Sequence, residues 1–250
     1  MASDLRVLRV GLSVLTCLVC AVGCGDAPEE TQEAPALPLE QIASPRAPSA
    51  PNGLDQLSAD QALGRVLQEV EANDSYHVTG TTVGGQTLDI SFVDNAATGT
   101  VIAGSRVQLL AVDGRIYVTG DDEFMAASVG KDAAKRMSGK WLLLAPDATS
   151  QFALFADGRT FAARVLGAQG PVELTGVRYV QGRPAVGLIF AETGGTLWVS
   201  AHGDPLPLQF EEKGATAGVG VLTFSDFGAD ITVKAPPKDS VVDAVSLPTP

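Results

Sequence analysis

Two long stretches alternate between apolar and polar residues with a period of two, and this pattern limits the fold more than any other feature of the chain. Leu88, Ile90 and Phe92 alternate with Thr87, Asp89 and Ser91, and Val107 and Leu109 alternate with Arg106 and Gln108. Gly84-Gly85, Asp94-Asn95 and Asp113-Gly114 mark the turns between them. Such a pattern is an antiparallel meander with one apolar face and one wet face. The second stretch predicts strands over Val172 to Val180, Ala185 to Phe190, Thr196 to Ser200, Leu206 to Glu211, Val219 to Phe224 and Ile231 to Lys234. In it Val186, Leu188 and Phe190 point one way, and Leu206, Leu208 and Phe210 oppose Pro207, Gln209 and Glu211.

Helical periods interrupt this pattern. Ser58 and Gln61 form a capping box ahead of Leu63, Val66, Leu67 and Val70, which fall on one helical face, and Asn73 and Asp74 stop the helix. Met125, Val129, Ala133 and Met137 recur every four residues. Trp141 to Leu144 reads as a brief strand. Pro146 and Asp147 then open a second helical region with Phe152, Phe155, Phe161, Val165 and Leu166, broken near Asp157 and Gly158. The expected fold is α+β: a curved antiparallel half-barrel sheet of about eleven strands with helices on its concave face.

The first residues say where such a domain would work. Arg6 and Arg9 precede an apolar run from Val10 to Val22, too short for a membrane span of about 20 residues. The run closes on Ala21, Val22, Gly23 and Cys24, which looks like a bacterial lipobox. Residues 1–23 are then a removed signal peptide. By resemblance to bacterial lipoprotein signals, Cys24 becomes a lipidated N-terminus carrying diacylglycerol and an amide-linked acyl chain such as palmitate. An ordinary secretory leader is the alternative reading. Cys17 and Cys20 leave with the leader, so the mature chain has no internal disulfide. Residues 24–54, rich in Pro, Ala and Glu, read as a disordered tether, 55–237 as the folded domain and 238–250 as a loose tail.

Charge narrows the partners. The formal charge is -12, and removing Asp4, Arg6 and Arg9 with the leader makes it about -13. This excludes nucleic acid and leaves membrane attachment to the acyl chains at Cys24, on the extracytoplasmic side of the cell membrane.

The order of elements resembles the LppX/LprG (LprAFG) type of bacterial lipoprotein within the LolA/LolB-like superfamily. The residues that carry the likeness are Gly114, Ile116, Tyr117 and Val118; Gly139, Lys140 and Trp141; Thr175, Gly176, Tyr179, Gly182 and Pro184; Thr196, Leu197, Trp198, Gly203, Asp204 and Pro205; and Phe224 to Gly228 leading to Ala235 and Pro236. The resemblance implies an apolar pocket for acyl chains of envelope lipids or lipoproteins; the cargo expected here is a lipid or glycolipid, with an envelope transporter as a candidate partner. It supplies no ligand contact by residue.

The inward set expected to line that pocket is Leu88, Ile90, Phe92, Val107, Leu109, Val186, Leu188, Phe190, Leu206, Leu208 and Phe210, lidded by Met125, Val129 and Phe155. The opposing reading of the same residues is a solid core, in a tethered envelope interaction or sensor module without lipid cargo. Neither enzyme chemistry, a metal nor a cofactor is expected. His77 on a strand and His202 in a turn have no neighbouring ligand at metal spacing. Ser128 and Lys131 match Ser-x-x-Lys, but Lys-Thr-Gly is missing. Asp121, Asp122 and Glu123 read as the acidic first turn of a helix.

Overall fold

The computed structural model describes residues 49–145, 149, 152–167, 170–213 and 218–247. The expected leader, Cys24, most of the expected tether, Pro146 and Asp147 lie outside them.

Helix α1 (Ala59–Ala72) begins where local chemistry places it. The Gln61 backbone N–H donates to the Ser58 hydroxyl at 3.3 Å, and the Ser58 N–H donates to the Gln61 side-chain oxygen at 3.1 Å. Ala62, Leu63, Val66 and Val70 form its buried stripe. Asn73 ends it by leaving helical geometry, its side-chain amide donating to the Glu69 carbonyl at 2.8 Å.

Five strands follow: β1 (Ser75–Thr81), β2 (Thr87–Val93), β3 (Ala96–Ala103), β4 (Ser105–Val112) and β5 (Arg115–Gly120). Asp94 and Asp113 adopt positive φ in the hairpin turns, a geometry that short polar residues tolerate. After helices α2 (Asp122–Val129) and α3 (Lys131–Arg136) come β6 (Trp141–Leu143), a 3-10 turn at Ala153–Phe155 and helix α4 (Gly158–Leu166). Then come β7 (Val172–Val180), β8 (Arg183–Phe190), β9 (Thr196–Ser200), β10 (Pro207–Lys213), β11 (Val219–Ser225) and β12 (Val241–Asp243).

All twelve strands form one open curved sheet in the order β12-β6-β5-β4-β3-β2-β1-β11-β10-β9-β8-β7. Two meanders, β1 to β6 and β7 to β11, are joined where β1 pairs with β11 from His77–Ser225 to Thr81–Val221. Every pairing is antiparallel except that of β12 with β6. The fold is therefore α+β and half-barrel in form, its sheet mixed at one edge. The main core lies between the concave face and the helices, with Val78, Ile90, Phe92, Leu109, Leu188 and Leu222 meeting Val66, Phe161 and Leu166. Gly130, at φ +81°, breaks the four-residue stripe into α2 and α3, yet Met125, Val129, Ala133 and Met137 are all buried.

Four expectations are corrected. Ile231 to Lys234 is not a strand. Strand β11 is already paired on both sides, with β1 and β10, so the chain after it cannot extend the sheet there. It crosses instead beside the Asp94-Asn95 and Asp113-Gly114 turns to reach the far edge. There β12 pairs with β6, and Val242, Ala244 and Leu247 pack on the core, where a loose tail is the expectation from sequence. The start of the folded part is also earlier than residue 55: Leu54 is fully buried, Pro51 bridges His202, and the Asn52 side chain donates to the Ser200 carbonyl at 2.8 Å.

The fourth correction concerns β10. A register shift between Pro207 and Gln209 against β9 places one extra residue in the strand. Leu208 thereby leaves the concave side and joins Val180, Ala185 and Trp198 in a separate cluster on the convex face. Over Trp198 lies the Arg178 guanidinium, 3.6 Å from the ring centre and paired with Glu211. Leu206 lies outside the strand and is half-buried.

Candidate functional site

The concave face is not filled along its whole length. At the end bearing the β1–β2 and β8–β9 turns, an apolar cleft of about 540 Å³ opens between the sheet and the α4 region. The sheet supplies Leu88, Phe190, Phe210 and Leu222, and the helical side supplies Leu154, Phe155, Phe161 and Val165. Thr82, Gln86 and Thr193 form the polar rim with Arg164, Glu212 and Lys213, and the apolar side chain of Val83 stands exposed beside them.

Local sequence explains this shape. Strand β8 ends in a tight turn through Gly194, at φ +68°, and Gly195. A Cβ on Gly195 would stand 3.1 Å from the Phe210 ring, so glycine lets that ring lie along the wall, where it meets Phe190 at 5.5 Å between centroids. Across from it, the Asp157 carboxylate caps α4 by accepting the Thr160 N–H at 2.6 Å, and the helix presents Phe161 and Val165.

An aromatic wall closes the cleft from within. Phe161 packs on Phe92 at 5.0 Å, and Phe92 on Tyr76 at 5.0 Å. The Tyr76 hydroxyl donates to the Gly158 carbonyl, fixing the start of α4, and burial pushes its ionisation far above the ordinary phenol range, aided by the Asp157 charge. Beyond the wall lies a smaller pocket of about 330 Å³ in which Leu67, Val70 and Phe92 share the lining with Glu71, Asp74, Asp94 and Arg159. The larger cleft is the better candidate, because its walls are formed by eight large apolar side chains.

The structure divides the expected lining residues by their place along the strands. Leu88, Phe155, Phe190 and Phe210 line the cleft. Ile90, Val107, Leu109, Val186 and Leu188 share the concave side but sit in packed core, and Phe92 stands in the aromatic wall and lines the smaller pocket behind it. Met125 and Val129 are buried on α2, which lies over β4 and β5. Leu206 and Leu208 are outside the cleft for the reason given by the bulge. Leu222, Leu154, Phe161 and Val165 line it in addition. The alternation of Leu222 and Phe224 with Val221 and Thr223 was a sequence signal for the first of these.

Ser128 and Lys131 fall on opposite sides of the Gly130 break, and the Ser128 hydroxyl donates to the Phe124 carbonyl at 2.8 Å. His77, on β1, faces Asp89 at 2.9 Å and Asp226 at 3.5 Å on the convex surface. Among the described residues, no group of three or more His, Cys, Asp or Glu side chains could hold a metal, and no helix is long and apolar enough to cross a membrane.

An open half-barrel with an end-on apolar cleft is the class of structure these features define. No known family model and no curated protein matches the sequence. The structure is similar to LprF from Mycobacterium bovis, at 14% identity and a TM-score of 0.49 over 75% of this chain and 99% of that one. It is also similar to the lipoprotein LppX from Mycobacterium tuberculosis, at 15% identity and a TM-score of 0.46 over 70% of this chain and all of that one. MucB of Pseudomonas aeruginosa, in its complex with MucA, gives 19% identity and a TM-score of 0.36, with 72% of this chain covering 59% of that one. The first two bear names from the family that the sequence resembles. The reading of the site rests on the cleft itself.

Proposed function

We propose that this chain is an envelope lipoprotein whose folded part shelters an acyl chain of a lipid or glycolipid, for transport or presentation. The observation that carries the reading is the 540 Å³ cleft with its eight large apolar walls. That volume falls within the roughly 300 to 1,000 Å³ of small-molecule sites. Each buried methylene is worth about 0.8 kcal/mol, so a long chain leaving a bilayer needs such a shelter to cross water.

The rest of the reading comes from the sequence. Cys24 is the proposed lipidation site after removal of residues 1–23, which would hold the domain at the extracytoplasmic face of the membrane. Residues 25 to 48 contain five prolines and would act as its tether. Catalysis has no part in this function, and an envelope transporter is the proposed delivery partner.

The test is native mass spectrometry with lipid extraction, on the full chain carrying Cys24→Ser so that no acyl group of its own is present. A bound lipid of defined mass is the expected result. Protein recovered empty, and still empty after incubation with a membrane lipid extract, overturns the reading. It would favour the scaffold alternative, which draws on the packed core around Ile90 and Leu188, both fully buried.

A further inference from the structure

The rim of the cleft carries charge of a sign opposite to that of the protein. In a chain of net charge -12, the charged residues lining this opening are Arg164, Lys213 and Glu212. Glu212 is engaged: its carboxylate accepts the Val83 N–H at 2.7 Å, closing the β1–β2 turn against β10. Arg164 and Lys213 are exposed and have no hydrogen-bond or ion-pair partner among the described residues. Lys213 is also held at the opening, because its stem passes over the β8–β9 turn with Cδ 3.3 Å from where a Cβ on Gly194 would stand. Glu192, on the same turn, lies against Gly170 and does not line the cleft. The neighbouring residues Ala168, Gln169 and Gly214 to Ala217 bring no charge by sequence.

We propose that the cleft selects amphiphiles with a single tail and an anionic headgroup, a carboxylate or a phosphate, with Arg164 and Lys213 binding the headgroup while the tail lies against Phe155, Phe161, Phe190 and Phe210. This inference rests on the acyl-binding reading above and names the class of ligand. Both parts follow from the geometry. A cleft of about 540 Å³ has the size of a drug-sized ligand, which accommodates one tail. Two cations without a partner among the described residues, beside a low-dielectric wall, attract an anion more strongly than they would in open water. Arg164 offers a planar fork of donors and Lys213 a compact point charge, a pair able to grip a carboxylate or a phosphate.

The experiment is calorimetric titration of the full chain carrying Cys24→Ser with four probes: palmitate, palmitoyl lysophosphatidylglycerol, neutral monopalmitoylglycerol and inorganic phosphate. The expected result is that the two anionic amphiphiles bind at least about tenfold tighter than the neutral ester at low salt, with the ratio shrinking as salt is added. In Arg164→Gln/Lys213→Gln that ratio falls towards one, whereas Lys135→Gln on α3 keeps it. Equal binding of neutral and anionic amphiphiles overturns this inference and leaves the acyl reading standing. Binding of inorganic phosphate as tight as that of the lysolipid also overturns it, because the site would then be one for a free anion. No binding by any amphiphile overturns the acyl reading and this inference together.

Discussion

Single side chains in this protein do their structural work through hydrogen bonds that the folded backbone brings within reach. Asp121 accepts the Phe124 N–H at 2.8 Å as the cap of α2 and the Arg106 N–H at 2.9 Å from β4, so one carboxylate ties the helix start to the sheet. Those two bonds favour its charged form and hold its carboxyl below the ordinary range. A lowered folded value means that the contribution is complete above the unfolded value of about 3.9 and is lost as pH falls through the folded one. Asp121→Ala should therefore lower the melting temperature at about pH 7, with the difference from the parent closing as the pH approaches about 2. A difference of equal size at both pH values would mean that the charge contributes nothing. Tyr76 is the buried counterpart, a neutral donor tying α4 to β1 through the Gly158 carbonyl.

At the scale of elements, caps and hairpins were legible and the departures from regularity were not. The capping box of α1 needs only residues three apart, and the Asp113-Gly114 turn needs only its own two residues, so each was visible in the chain. The bulge that turns Leu208 outward depends on how β10 registers with β9, which the alternation along either strand does not specify. Close contacts between paired strands are hidden in the same way. A Cβ on Gly99 of β3 would stand 2.2 Å from the backbone oxygen of Asp89 on β2, and backbone cannot swing aside as a side chain does. Gly99→Ala should accordingly destabilise the protein by about 1 to 3 kcal/mol in urea unfolding. A cost near zero would show that β2 and β3 can separate without disturbing the sheet.

For the whole molecule, the question is where sheet and helices fail to meet. Leu188 and Phe210 both point to the concave side, but Leu188 is fully buried in packed core while Phe210 borders the cleft. A glutamate at 188 would be a buried charge without a partner, a loss of about 3 to 5 kcal/mol. Leu188→Glu should thus abolish the cooperative unfolding transition. Phe210→Glu should keep that transition and lose acyl uptake, measured by lipid extraction from the purified variant. If both variants unfold alike, the cleft is structural interior rather than a site.

The chain alone determined α1, the two meanders and the inward alternation of Leu88, Ile90 and Phe92, because period, caps and turn residues act between neighbours in sequence. What lies opposite each inward side chain was decided only in three dimensions. Leu88 and Ile90 share a strand and a face, yet Leu88 lines the cleft and Ile90 is fully buried in the packed core. The second meander, paired to β1 through β11, brings Leu222 and Phe210 into the lining of the same cleft as Phe161 and Val165. Alternation fixes direction and not depth, since depth depends on partners that are remote in the chain.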